Sequence, residues 1–276
     1  MPTQQSFIPL SDGNTIPQIG LGVWQASQEQ AANAVYVAIE SGYRHIDTAS
    51  VYKNEEGVGQ GIKQAGISRE ELFVTTKIWN TDQGFDKATA ALDASLERLQ
   101  LSYVDLLLIH WPFPKMDLYL ETWKALIAAQ AQGKVRSIGV SNFNLEHLQR
   151  LIDETGVTPV LNQVELHPFW QQNALQQTHK TLGIETEAWS PLGQGKALNH
   201  PTLNAIAEKH GKSSAQVIIR WHVQQGRIVI PKSVTPSRIQ ENFNVFDFAL
   251  DADDLVNIAA IDNGGRLGPD PLEFPE

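Results

Sequence analysis

The chain has 276 residues, 42% hydrophobic and 19% charged, a globular balance that excludes wholesale disorder. Twenty-one basic against 31 acidic residues leave a net charge of −10, which excludes a broad basic face for nucleic acid or anionic membrane but not a small local anion site. There is no cysteine, so disulfides, thiolate metal sites and a Cys nucleophile are excluded, and no apolar run approaches the ~20 residues that cross a bilayer.

The first residues, Met-Pro-Thr-Gln-Gln-Ser-Phe, have neither a basic start nor an apolar core, so no secretory signal is expected and the cytoplasm is the expected location. Residues 7–10 and 15–17 flank Asp12-Gly13, a hairpin turn signal. From there a short β-branched or Leu-rich run is repeatedly followed by a helical pattern. The strands fall at 18–23, 44–47, 72–77, 104–110, 135–140, 160–165, 185–189 and 228–231. The helices that follow them fall at 28–40, 55–64, 86–99, 118–130, 145–154, 171–180, then 201–210 with 214–224, and 236–242. No Pro/Ser/Gly linker interrupts the series.

Eight alternating units favour a parallel sheet covered by helices, and eight at this length is the count of a (β/α)₈ TIM barrel. Length alone leaves one or two domains open; the unbroken series predicts one, over 1–276, with the N-terminal β-hairpin plugging the barrel's bottom. A doubly wound sheet would announce a glycine fingerprint after its first strand. Gly57-Val-Gly-Gln-Gly61 is glycine-rich but has no strand before it, and its ordinary reading is close helix packing.

In such barrels the reactive residues sit at the C-terminal strand ends. Those ends carry Asp47 with Tyr52 in the loop, Lys77 with Trp79, His110-Trp111, Ser141-Asn142, Gln163 with Glu165 and His167, Trp189-Ser190 and Lys232-Ser233. Singly, each has a bland reading: Asp47 a loop cap, Lys77 a snorkelling surface chain, His110 a satisfied core histidine, Tyr52 packing. Jointly they point an Asp, a Tyr, a Lys and a His at one mouth. A buried Lys beside an Asp lowers the pKa of a nearby phenol, and such a phenol is a general acid for a carbonyl oxygen. Four of seven Trp residues (Trp24, Trp79, Trp111, Trp189) follow strand ends, which suggests an aromatic-walled pocket; Trp123, Trp170 and Trp221 read as packing.

Gly42-Tyr-Arg-His-Ile-Asp-Thr-Ala49, His110-Trp-Pro112, Gly139-Val-Ser-Asn-Phe143, Asn162-Gln-Val-Glu-Leu-His-Pro168 and Ile230-Pro-Lys-Ser-Val-Thr-Pro-Ser-Arg238 span the whole barrel. With them the chain resembles the aldo-keto reductases. Tyr52-Lys-Asn-Glu-Glu-Gly-Val-Gly59, Gln149-Arg-Leu-Ile-Asp-Glu-Thr-Gly-Val-Thr-Pro159 and Arg266-Leu-Gly-Pro-Asp-Pro271 are similar to the bacterial members that reduce 2,5-diketo-D-gluconate, methylglyoxal and β-keto esters. The resemblance implies an NADPH-dependent reductase of small carbonyl compounds, usually monomeric. It makes Tyr52 the proton donor, tuned by Asp47 and Lys77, with His110 orienting the carbonyl. Ser141, Asn142 and Gln163 would hold the nicotinamide carboxamide and Trp189 would stack on its ring. Gly22, Val23 and Trp24 would also border the cofactor, and Ser190, Pro191, Leu192, Gly193 and Gln194 would line the pyrophosphate path. Lys232, Ser233, Val234 and Thr235 would run beside the adenosine phosphate, with Arg238, Glu241 and Asn242 at that end. Trp24, Trp79 and Trp111, with Tyr52 and His110, would wall the substrate pocket. The family often carries Ala where this chain has Ser50, and the tail after the barrel is shorter than in animal members.

Two other classes compete. A retaining glycosidase could use Glu165 and Glu187 on neighbouring strands, but it leaves Lys77, Tyr52 and Lys232 without a role. His45, His110 and His167 lack paired metal-ligand spacing. A non-catalytic dinucleotide-binding regulatory subunit is the alternative within the resemblance, since some proteins resembling this family regulate a partner channel.

Overall fold

A strand buried on both faces needs an apolar run without a polar side, and Val104–Ile109 meets that need: all six residues are buried. Its one charge, Asp105, accepts hydrogen bonds from the Arg69 guanidinium at 2.6 Å and the Val74 amide at 2.9 Å. The computed structural model describes residues 5–274. A hairpin of β1 (Phe7–Pro9) and β2 (Thr15–Pro17) comes first. The strands β3 (Gly20–Gly22), β4 (His45–Asp47), β5 (Phe73–Ile78), β6 (Val104–Ile109), β7 (Val135–Ser141), β8 (Leu161–Glu165), β9 (Glu185–Trp189) and β10 (Ile228–Val229) then form one parallel sheet in chain order. The helices are α1 (Gln28–Glu40), α2 (Glu55–Ala65), α3 (Phe85–Leu99), α4 (Tyr119–Ala131), α5 (Leu145–Thr155), α6 (Asn173–Leu182), α7 (Pro201–His210), α8 (Ser214–Gln224), α9 (Pro236–Phe243) and α10 (Ala252–Ala259).

Parallel bridges Ile19–Val229 and Gly22–Lys232 join the two sheet edges, with the Val229 amide donating to Gln18 O at 2.9 Å, so the sheet closes into the expected barrel. Leu10 and Ile16 of the hairpin pack with Phe73, Val160, Leu161 and Ile228 at the strand starts, plugging that end. The glycine-rich run lies on α2 as a packing face. A Cβ on Gly57 would stand 2.1 Å from Gln28 O, and one on Gly59 would stand 2.3 Å from Leu99 O.

The structure corrects two element readings. Helix α6 starts two residues later than expected, because Gln172 is left-handed (φ 51°) and its side chain donates to Glu165 O at 2.5 Å. Helix α10 was not anticipated, although Asp251 and Asp254 form a reciprocal capping box at its start. No described helix is long and apolar enough to cross a membrane.

Candidate active site

The C-terminal ends of the barrel strands open into a cleft of about 600 Å³. Asp47 ends β4 and Lys77 lies on β5; both are buried, and Lys77 Nζ donates to Asp47 Oδ1 at 2.5 Å and to Thr48 O at 2.9 Å. The next loop is a single 3₁₀ turn, Ser50–Tyr52, pinned to β5 by Ser50 Oγ donating to Lys77 O at 3.0 Å. Ser50 thus ties the Tyr52 loop to the lysine's strand. Asn54, fully buried, accepts from Thr48 Oγ1 and donates to Val23 O and Ala26 O, fastening the same loop to the one after β3. The reading of the sequence passed over Asn54; its Asn-Glu-Glu start to a helix was the available signal.

Lys77 Nζ stands 5.3 Å from the Tyr52 ring centre. Burial pushes the Tyr52 phenol above its ordinary range, while the Lys77 charge pulls it back and Asp47 pushes it up. The net direction differs from the expected lowering: burial outweighs the cation, and the phenol keeps its proton. His110, 8% exposed, sits edge-on to Tyr52 at 5.7 Å and to Trp79 at 5.0 Å. Burial and the nearby Lys77 hold its imidazole well below its ordinary pKa, so it is neutral.

Ser141 on β7, Gln163 on β8 and Glu187 on β9 stand level across three adjacent strands. Ser141 Oγ donates to Gln163 O at 2.7 Å. Asn142 follows in a left-handed conformation (φ 64°) that Asn tolerates. Its Nδ2 donates to His110 O and Ser141 Oγ, and its Oδ1 accepts from Trp189 Nε1 at 2.8 Å, so it also fixes the indole edge.

Trp24, Trp79, Trp111 and Trp189 all line the cleft, with Gly22, Ser190, Gln194 and Lys232. Ser141, Asn142 and Gln163 line it too, while the remaining residues of the expected cofactor set lie outside its lining. Val23 is 1% exposed, its side chain in the main core and its carbonyl accepting from Asn54 Nδ2. Pro191, Leu192 and Gly193 form the turn between Ser190 and Gln194, with the Gly193 amide donating to Ser190 O. Ser233, Val234, Thr235, Arg238, Glu241 and Asn242 lie past β10 and along α9, outside the cleft lining. Arg238 is exposed and has no ion pair with Glu241 among the described residues.

The sequence reading missed the wall made by the C-terminal segment. Leu267, Gly268, Pro269 and Phe274 line the cleft, and the Phe274 ring lies 4.7 Å from Trp111 and 6.2 Å from Trp79. Glu165 anchors that segment: its carboxylate accepts from the amides of Leu267 at 2.6 Å and Gly268 at 2.9 Å, and from His167. Glu165 and Glu187 are therefore not a glycosidase pair, since one carboxylate is spent on backbone and the other is buried beneath the cleft.

Burial and the Asp47 charge push the Glu187 carboxyl up to about 8 from its ordinary 4.5. An acid whose folded pKa is raised contributes stability below its unfolded pKa and loses it as pH rises through the folded one. Glu187→Gln, which cannot ionise, is therefore expected to gain stability over the wild type as pH rises from 5 to 8. At ~1.36 kcal/mol per pKa unit the gain is on the order of a few kcal/mol. Thermal melts across that range check it, and a gap that does not widen would refute it.

A family model described as the aldo/keto reductase family matches residues 18–263. The methylglyoxal reductase DkgA of Escherichia coli is 56% identical over 271 residues, 98% of each chain. An aldo-keto reductase of Mycolicibacterium smegmatis is 55% identical over 267 residues, 97% of each. Among solved structures, an aldo/keto reductase from Brucella melitensis superposes with a TM-score of 0.93 at 56% identity, covering 95% of this chain and 100% of that one. A variant of Gox0644 in complex with NADPH superposes with a TM-score of 0.94 at 51% identity, covering 98% of each.

Proposed function

The chain belongs to the aldo/keto reductase family, and on that premise we propose that it reduces small dicarbonyls of the methylglyoxal kind to alcohols, with Tyr52 as proton donor. As a member it is an NADP-dependent oxidoreductase of small carbonyl compounds. β-Keto esters, 2,5-diketo-D-gluconate and simple aldehydes extend the proposed substrate range. The observation that carries this reading is the meeting of Tyr52, neutral His110 and the buried Asp47–Lys77 pair beneath walls of Trp79, Trp111 and Phe274. An aromatic-walled enclosure favours a small, mostly neutral carbonyl.

The residues present fit a nicotinamide dinucleotide. Gln163 Oε1 is an acceptor facing the cleft with no partner among the described residues, and Trp189 offers a ring face. Lys232 and Arg238, cations without ion pairs among the described residues, suit the adenosine phosphate end. When bound, NADPH supplies the hydride. Tyr52 then gives its proton to the carbonyl oxygen, and His110, as a neutral donor, holds that oxygen in place. Lys77 stabilises the phenolate left behind.

The test is an NADPH-oxidation screen over methylglyoxal, β-keto esters, keto-sugar acids and aldehydes. Turnover of a dicarbonyl is expected. NADPH binding without turnover of any of them would overturn the reading and leave a dinucleotide-binding regulatory subunit.

Cofactor choice has its own test. An Arg fork suits a phosphate better than a Lys point charge, and a charge-assisted hydrogen bond is worth ~1.5–3 kcal/mol. Arg238→Ala is therefore expected to weaken NADPH binding roughly ten- to a hundredfold and to leave NADH binding nearly unchanged. Fluorescence titration of both cofactors measures this, and equal weakening would place Arg238 away from the 2′-phosphate.

A further inference from the structure

Gln163 Nε2 donates one hydrogen to Asp47 Oδ2 at 2.8 Å and the other to Glu187 Oε2 at 2.9 Å. Both acceptors are carboxyl groups on other strands, β4 and β9, and all three side chains are buried. A carboxylate only accepts, and a protonated carboxyl still has acceptor capacity. Asp47, paired with Lys77 and able only to accept, therefore settles which end of the Gln163 amide is nitrogen. One hydrogen bond would leave the amide free to turn about that contact; two bonds from one NH₂ fix its plane. The carbonyl Oε1 is then the end presented to the cleft, as an acceptor only.

We propose that Glu187 is a positioning residue that, with Asp47, locks the Gln163 amide so that its oxygen faces the amide hydrogens of a nicotinamide carboxamide. This rests on the reading above that Gln163 meets the carboxamide. Asp47 already has Lys77 at 2.5 Å, whereas Glu187 has no cation in contact. The other groups near Glu187 are His45, whose Nε2 is 3.7 Å from Oε1, and, at longer range, Tyr52 and Lys77. His45 is kept neutral by burial and also meets Thr75 Oγ1 at 3.3 Å. Glu187 is thus held by barrel interior on every side and offers Gln163 an acceptor without demanding a counter-ion.

Glu187→Leu fills the space but removes the acceptor. It is expected to weaken NADPH binding about three- to tenfold, the worth of one lost hydrogen bond, by Trp fluorescence titration. Glu187→Gln keeps an oxygen toward Gln163 and is expected to restore binding to within about twofold. Because Glu187 acts through Gln163, Glu187→Leu added to Gln163→Ala is expected to weaken binding no further. A Gln variant as weak as the Leu variant, or additive losses in the double variant, would overturn the proposal while leaving the cofactor reading intact. Unchanged NADPH affinity in Gln163→Ala would overturn that reading, and this proposal with it.

Discussion

Tyr52→Phe is expected to lower carbonyl reduction by about 10²- to 10⁴-fold, the usual worth of a general acid. NADPH affinity is expected to stay within about twofold, since the ring remains and only the hydroxyl is lost. The substitution is close to isosteric, and Lys77, the phenol's hydrogen-bond partner, keeps its bonds to Asp47 and the Thr48 carbonyl. The surrounding loop is held by Ser50, Thr48 and Asn54, none of which bonds to the phenol. Folding and thermal stability should therefore be nearly unchanged, which separates chemistry from structure. His110, kept neutral by burial and Lys77, is a poor source of the missing proton, because a group far below its ordinary pKa carries no spare proton at neutral pH. Stopped-flow and steady-state rates with a simple dicarbonyl decide the matter. A variant retaining more than about a tenth of wild-type turnover would show that the proton comes from elsewhere.

The barrel was legible because its strands are short apolar runs and its helices carry caps and periodic apolar faces. β9 and helices α1, α7 and α8 fall where the residues placed them, and most other boundaries shift by one or two positions. The polar strand ends were legible most directly at His110 and Ser141, which close runs of apolar residues where a polar side chain has no packing role. Glu187 was not legible. It alternates with Glu185 on a strand whose two faces are both covered, and nothing local tells the barrel interior from the helix side. The C-terminal wall was not legible either, since Glu165 receives the Leu267 and Gly268 amides across about a hundred residues of chain. Phe274 meets Trp79 and Trp111 only because that anchor turns the segment back over the cleft.

Lys77→Met is expected to lose both turnover and stability, and the two losses can be told apart. Lys77 is 0% exposed, and its ammonium satisfies Asp47 at 2.5 Å and the Thr48 carbonyl at 2.9 Å. A Met fills the space of the stem but supplies no charge. Asp47 would be left with Gln163 as its remaining donor, and breaking a buried pair by removing one partner costs ~3–5 kcal/mol. The phenol of Tyr52 would also lose the one charge that pulls its pKa down, against burial and Asp47 that push it up. The proton then leaves less readily, and turnover is expected to fall more than substrate affinity. Asp47→Asn is expected to slow turnover as well, since it strips the lysine of its anion while keeping the shape. In the double variant, Lys77→Met with Asp47→Asn, neither charge remains to be stranded. Replacing both members of a buried pair is often neutral or stabilising, so much of the lost melting temperature is expected to return while turnover stays low. Denaturant titration beside single-turnover kinetics reads both quantities. Unchanged activity in Lys77→Met would make the lysine scaffold only, and recovery of turnover in the double variant would mean that the loss came from misfolding rather than from the untuned phenol.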